Sequence, residues 1–518
     1  MIRLKAWLAA AVLPALAGLA AAGGQAPFGL WALSLFGFAA LIWHVAGADG
    51  WRPSAFRAWA GGVGYFAGTL FWIVEPFLVE PEKDGWMAPF ALIFMTTGMA
   101  LFWMAAGFAA GLGRHRAGRS AGFALGLAAS DLARTYVLTG FPWVLAGHVW
   151  IDTPVAQAAA FVGPVGLSIL TLTLAALPVA GATRARQALG AGLAGILLAA
   201  VWAAGAARLA APDAPRDPEI RVRIVQPNAT QHLKWQPGMW RVFLDRMIAA
   251  GGGVAAQRPD LIVWPETSVP YLLDDAGPLF DEALAASGGV PMAVGIQRAE
   301  GVRYYNTLAA IGADGRVAAT YDKQHLVPFG EYIPMGDLLG RFGISAFAAQ
   351  AGYGYTAGTG ARVLDLGRAG KVLALICYEA VFPQDLRAAP ERADWILQVT
   401  NDGWFGQMAG PWQHLAQARL RAVEQGLPLL RAANTGVSAV IDAKGRIVAH
   451  LPLDTYDWLD ADVPPAVALR LLDHAESPDL RLTLVKGADH RFSAPADLAL
   501  IAATVEEVLA LAGGRADL

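Results

Sequence analysis

The chain has one cysteine, Cys377, in 518 residues. A lone thiol makes no internal disulfide, so it says nothing of the redox compartment. Charge is scarce as well: Asp, Glu, Lys and Arg are 16% of the residues and the net charge is -3. Nucleic-acid binding wants clustered basic residues, so no nucleic-acid partner is expected. The few histidines, His325 and His414 among them, fall at no ligand-like spacing. There is no glycine-rich phosphate loop. No metal and no cofactor are expected.

What the chain has in quantity is apolar surface. It is 56% hydrophobic, with a mean hydropathy of +0.42. Most of that lies before residue 211, in seven stretches near the roughly 20 residues a membrane helix needs. They are 6–23, 28–46, 58–79, 88–112, 120–139, 156–181 and 188–210. The first, behind Arg3 and Lys5, also has the form of a signal peptide; six further stretches favour a retained span. Basic residues recur in alternate loops: Arg52 and Arg57, then Arg114, Arg116 and Arg119, then Arg184 and Arg186. That alternation predicts a cytoplasmic N-terminus and places the chain beyond span seven outside the cytoplasm, in a bacterial cell the periplasm. Asp131 and Arg134, three apart in span five, are read as a structural ion pair rather than a functional site. Trp143, in "TGFPW" (139–143), is expected at the membrane interface. The linker "APDAPRDPE" (211–219) has three prolines and cannot continue a helix.

From 219 to 455 the pattern becomes that of a layered α/β domain. Apolar or alternating runs at 220–228, 260–270, 290–298, 304–321, 371–377 and 394–402 read as strands, and 414–434 as a helix. "GVSAVIDAKGRIVAH" (436–450) reads as a hairpin. Glu266, Lys323 and Cys377 each sit at a strand end, where α/β folds collect function. Together they make a chemically complete set for acyl transfer through a thioester. A carboxylate takes the thiol proton, and an ammonium favours the thiolate and then the oxyanion. Taken singly each has a plainer reading: a buried small hydrophobe for Cys377, a helix-cap partner for Glu266, a solvated strand end for Lys323.

"VWPETSVP" (263–270), "YDKQHLVPFGEYIP" (321–334) and "LICYEAVFP" (375–383) resemble the three signatures of the nitrilase superfamily. With "GFPW", "NDGWFG" (401–406) and the seven spans, they resemble its membrane-bound branch, the apolipoprotein N-acyltransferases. The resemblance implies an αββα sandwich on a multi-pass helical bundle in the bacterial inner membrane. It implies transfer of an acyl chain from a phospholipid, with phosphatidylethanolamine the expected donor, to the N-terminal amine of a diacylglyceryl-cysteine apolipoprotein. By motif, Glu266 is the general base, Lys323 the oxyanion-side cation and Cys377 the nucleophile. Glu331 matches a supporting acid, Tyr378 and Glu379 match residues beside the nucleophile, and Trp235 matches an aromatic that engages substrate. Asn401 and Trp404 line the same region, with a turn-capping Asn and a core Trp as the plain alternatives. A membrane-tethered amidase or nitrilase, with water as second nucleophile, and a non-catalytic membrane scaffold remain the alternative functions.

The segment 335–358 is apolar and glycine-rich, and reads as a mobile arm that gates lipid entry through Phe342 and Phe347. The tail, 456–518, departs from the family: in place of a further span, 497–514 reads as a soluble amphipathic helix. Asp460 or Asp462 with His490 in "GADHRF" resembles the end of an α/β-hydrolase. Such a triad needs a serine in a G-x-S-x-G elbow. The chain is read as having none, so the tail is expected to be an inert fragment.

Overall fold

The computed structural model describes residues 2–213, 215–334 and 354–467, with no side-chain account of 2–9. Residues 335–353 of the expected arm, with Phe342 and Phe347, and the tail from 468 on, with His490 and 497–514, lie outside the described residues. The arm's end, 354–358, is bonded into the domain, the Tyr355 N–H donating to the Glu331 carbonyl and the Gly358 N–H to that of Lys323, both at 2.8 Å.

Each hydrophobic stretch of the first half falls on a helix: α1 (Ile2–Ala22), α2 (Trp31–Ala46), α3 (Trp51–Thr69), then, after the short α4 (Pro81–Asp84), α5 (Ala88–Gly111), α6 (Arg116–Tyr136), α7 (Ala159–Ala180) and α8 (Arg184–Ala210). Three helical stretches, Pro81–Gly111, Pro154–Ala180 and Arg184–Ala210, are long and apolar enough to cross a membrane, so this is a membrane protein. Ala10–Ala22 and Trp31–Ala46 are apolar but shorter. The third stretch differs from expectation. Its helix starts at Trp51, taking in Arg52 and Arg57, and stops at Thr69. Residues Phe71–Leu78 tighten into a 3-10 turn around Pro76, which has no N–H to give an α-helix. Helices α1 and α3 approach through small residues: a β-carbon on Gly18 would stand 1.8 Å from the Gly61 carbonyl oxygen. One string of G-x-S-x-G form does occur, GRSAG at 118–122, contrary to the reading that the chain has none. It lies inside α6 with Ser120 buried, so it forms no strand-to-helix elbow.

Beyond the linker two six-stranded sheets stack face to face, in the orders β12-β1-β2-β3-β4-β5 and β11-β10-β9-β8-β7-β6. Their centres are parallel: β1 (Arg221–Gln226), β2 (Leu261–Trp264) and β3 (Met292–Glu300) in one, β7 (Lys371–Ile376), β8 (Trp395–Thr400) and β9 (Leu429–Ala433) in the other. β2, β7 and β8 are mainly apolar, as strands buried on both faces tend to be, whereas β1 alternates and buries Arg223 against Asp460. Val222, Ile224 and Val263 of the first sheet meet Val372, Ala374, Leu397 and Val399 of the second. Helices α9 (Met239–Gly251) and α10 (Gly277–Ser287) cover the first sheet's outer face; α11 (Pro383–Arg387) and α12 (Gly410–Gln425) cover the second's. The layers are helix, sheet, sheet, helix.

Two readings are corrected. The helix expected over 414–434 ends at Gln425, where Gly426 takes a left-handed conformation, and "LLRAA" becomes the parallel strand β9. The stretch assigned to the tail at 456–463 is part of the sandwich: β12 (Asp457–Asp462) pairs antiparallel with β1. Asp460 and Asp462 are therefore no hydrolase acids. They bind Arg223 and Arg221 across that pairing, at 2.6 and 2.8 Å.

The sandwich sits on the bundle with shared cores. Tyr378, Val381 and Phe382 pack into the helical core beside Trp72 and Trp143, and α12 lays Ala416, Leu420 and Val423 against Trp150 and Leu167. Trp143 is fully buried there rather than at a lipid interface, because its indole N–H has an internal acceptor, Gln413 Oε1, at 2.7 Å. Trp72 donates to the same oxygen at 3.0 Å, and Gln413 Nε2 donates to the carbonyls of Ala26 and Thr69. Asp131 and Arg134 pair at 2.7 Å and are structural. Asp131 also accepts from the Ala146 N–H and Ser168, while Arg134 donates to the Trp143 carbonyl, fixing the loop under the sandwich. Gln413→Leu should therefore lower stability by about 2–4 kcal/mol, since several buried polar groups lose their partner at once. The midpoint of thermal unfolding in detergent checks this; an unchanged midpoint would mean the junction is held elsewhere.

Candidate functional site

Glu266 follows β2 after Pro265, and Thr267 behind it has φ +46, a strained value for a β-branched residue. The Ser268 N–H and hydroxyl bind the Gly295 carbonyl on β3, at 2.8 and 3.1 Å. A side chain at Gly295 would sit 2.2 Å from the Pro265 oxygen, so glycine is what lets this turn close. Lys323 follows β5 (Val317–Asp322), its N–H donated to the Asn306 carbonyl on β4 (Arg303–Ile311). Cys377 follows β7 with φ +50, left-handed and uncommon for a non-glycine residue.

These strand ends converge. Lys323 Nζ lies 2.9 Å from Glu331 Oε1 and 3.4 Å from Glu266 Oε1, all three residues being buried. Asn306 Nδ2 bridges the two carboxylates at 2.7 and 3.1 Å. Glu266 Oε2 accepts from the Asn401 N–H at 2.8 Å, and Glu331 Oε2 from the Val327 N–H at 2.9 Å. Burial alone would lower the Lys323 amine, but Glu331, Glu266 and Cys377 outweigh it and hold it well above its ordinary value. Burial and then Glu266 push the Cys377 thiol far up, against Lys323 and the Thr400 hydroxyl, so the sulfur rests protonated. The site therefore holds a fixed cation, an acceptor carboxylate and a neutral buried thiol. Such a set can ionise sulfur only by handing its proton over within the site.

The residues around Cys377 are braces. Glu379 Oε1 accepts from the Tyr321 hydroxyl and the Gln324 N–H, both at 2.7 Å, and Oε2 from the Ile376 N–H at 2.6 Å. It so ties the nucleophile turn to the chain just after Lys323. Tyr378 faces the bundle, stacking on Trp143 and reaching the Gly140 carbonyl at 3.3 Å. His325 stacks on Phe382 and contacts Asp385 at 2.9 Å and the Thr139 carbonyl at 2.8 Å, a second tie to the bundle. Burial pushes the Glu379 carboxyl up to about 7 from an ordinary 4.5. Between those values the folded protein keeps a proton the unfolded chain has lost, so this group makes stability fall as pH rises from 4.5 to 7 and level off above. Glu379→Gln should flatten that slope. It should also lower the melting temperature at every pH, because its amide would set N–H against N–H at Ile376. Unfolding midpoints across the range check both.

Asn401 also bonds Gln231 and Asn434, at 2.8 and 3.0 Å. Trp235 is half-buried under Lys234, whose amine stands 5.0 Å from the ring centre and 3.5 Å from the Glu266 carbonyl oxygen. Burial lowers the Lys234 amine to about 8, with Glu266 opposing. Trp404 is half-buried and, among the described residues, makes no ring contact or side-chain hydrogen bond. The structure thus joins Glu266, Lys323, Glu331, Cys377, Tyr378, Glu379 and Asn401 in one region, sets Trp235 at its edge, and places Trp404 in the turn directly after Asn401. Sequence reasoning missed Asn306, Lys234 and the buried set Gln398, His414, Asp402 and Arg431 behind Cys377. No spacing marks these; only the strand order brings them together. Among the described residues no group of three metal-ligating side chains is disposed to hold a metal.

Two family models match the chain: carbon-nitrogen hydrolase over residues 221–469 and the apolipoprotein N-acyltransferase N-terminal domain over 17–177. Among curated relatives, the apolipoprotein N-acyltransferase of Brucella melitensis is 38% identical over 469 residues, 85% of this chain and 87% of the relative. That of Sinorhizobium fredii is 36% identical over 471 residues, 87% and 89% of the two chains. Among solved structures, an amidase from Nesterenkonia sp. AN1 aligns with 49% of this chain and 94% of its own at 21% identity and a TM-score of 0.35, a likeness too slight to argue from.

Proposed function

The chain belongs to the apolipoprotein N-acyltransferase family, and on that premise we propose that it moves an acyl chain from a phospholipid, through a thioester on Cys377, to the N-terminal amine of a diacylglyceryl-cysteine apolipoprotein. The supporting observation is the buried cluster of Glu266, Lys323 and Glu331, which acts on the Cys377 thiol at the face where the sandwich joins the bundle. Glu266 takes the thiol proton as sulfur attacks the ester carbonyl carbon. The tetrahedral oxyanion forms beside the Lys323 ammonium. Its collapse breaks the ester C–O bond, and the departing lysophospholipid oxygen takes the proton back from Glu266. In the second half the lipoprotein amine attacks the thioester carbon and Glu266 accepts its proton. The C–S bond then breaks and the thiolate regains that proton. Glu331 and Asn306 hold Lys323 and Glu266 in place.

Phosphatidylethanolamine is the donor we propose, and the inner membrane with the site on the periplasmic side the setting, as the loop charges favour. A donor and an acceptor that are both lipids account for a catalytic domain whose core runs into that of a membrane bundle. The test is to incubate purified protein with labelled phosphatidylethanolamine and a diacylated lipopeptide. Label on the lipopeptide amine is expected. Release of a product from a soluble amide, with no label on the lipopeptide, would make it a tethered amidase instead.

A further inference from the structure

The Cys377 carbonyl oxygen lies 3.0 Å from His414 Nε2 and 3.1 Å from Gln398 Nε2, and both side chains are fully buried. A carbonyl only accepts, so these contacts assign a hydrogen to His414 Nε2. Behind the imidazole stands a charged anchor. Nδ1 is 3.0 Å from Asp402 Oδ1 and 3.2 Å from Arg431 Nη2, and Arg431 pairs with the other oxygen of Asp402. Burial would raise the Asp402 carboxyl, but Arg431 and His414 outweigh it and keep it charged. Burial and the Arg431 guanidinium lower the His414 imidazole, so the ring carries one hydrogen; on Nε2 it donates to the carbonyl, and Nδ1 then accepts from Arg431. Gln398 Oε1 has no partner among the described residues, so the bond that side chain makes beyond the ring itself is to Cys377.

A buried ion pair is a weak source of stability, and this one ends on the backbone of the proposed nucleophile. That backbone is strained at φ +50. The 377–378 peptide is trans, so its carbonyl and the Tyr378 N–H project from opposite edges of one plane. Holding the oxygen toward α12 fixes the N–H away from it and fixes the rotation that aims the thiol. Resting on the acyl-transfer reading above, we propose that His414 and Gln398 are positioning residues. They clamp the Cys377–Tyr378 peptide, and so set where sulfur and the Tyr378 N–H stand against a bound ester. Asp402 and Arg431 hold the clamp.

Glutamine at 414 puts an amide nitrogen near the place of Nε2, whereas asparagine reaches only the place of Nδ1. Thioester formation from labelled phosphatidylethanolamine is measured in intact protein. His414→Gln should acylate close to the wild-type rate. His414→Asn, which keeps the Asp402 side of the network, should lose about 100-fold in rate with KM little changed, the size of effect seen when one fixed donor is misplaced. Equal losses in both, or a normal rate in His414→Asn, overturn the inference. If neither folds, Gln398→Met decides, since it removes one donor and strands no other group. A slower acylation at unchanged KM supports the clamp, and an unchanged rate overturns it. Wild-type protein that forms no thioester would instead remove the acyl-transfer reading on which the clamp depends.

Discussion

Cys377→Ala should form no thioester and release no lysophospholipid, while melting within about 2 kcal/mol of the wild type. The expectation of so clean a split comes from where the sulfur stands. Cys377 is buried in the core between the sheets, yet its turn is held by other groups: Glu379 through the Ile376 N–H, Gln398 and His414 through the carbonyl. Removing one sulfur leaves a small void and none of those bonds broken. Cys377→Ser is the harsher test of mechanism. It keeps the shape, but a hydroxyl gives up its proton far less readily than a thiol, and Glu266 is the acceptor on hand. A fall of at least about 1,000-fold in acylation is expected, from the weaker nucleophile alone. Intact-protein mass spectrometry after incubation with phospholipid reads both variants. An acyl adduct on Cys377→Ala would place the nucleophile elsewhere in the chain.

How much of this was legible beforehand follows from distance along the chain. Glu266 and Cys377 come at or just past the end of an apolar run, and Lys323 directly after the strand that follows the Asp314-Gly315 turn, so position in a strand and chemical type coincide in a few consecutive letters. The seven apolar stretches are legible for the same reason. What sequence hides is whatever depends on a partner far away. Trp143 looks like an interface residue until Gln413, 270 positions on, supplies the acceptor that lets it be buried. "LLRAA" extends the apolar pattern of α12, and only the slot beside β8 makes it a strand. Asp460 and Asp462 suggest a catalytic acid while the arginines of β1, some 240 residues earlier, are unseen. Asn306 is one polar letter in a strand until β5 sets Lys323 beside it.

The second large effect is expected at Lys323. In Lys323→Met the ammonium that lies between Glu266 and Glu331 is gone, and two buried carboxylates are left with Asn306 as their shared donor. Removing one partner of a buried charged group typically costs about 3–5 kcal/mol, because the remaining charge stays desolvated and unpaired. Acylation should fall by about 1,000-fold or more, since the oxyanion loses its cation. Lys323→Arg should not restore it: a planar fork cannot take the place of a compact ammonium set between two carboxylates. Adding Glu331→Gln to Lys323→Met separates the two losses. The double variant carries one buried carboxylate instead of two, so much of the stability should return. Activity should not, because nothing replaces the positive charge beside Cys377. Thermal unfolding and thioester formation, measured on the same samples, read the two quantities independently. Recovery of both together would mean Lys323 serves only to neutralise its neighbours, and the oxyanion would then need another donor.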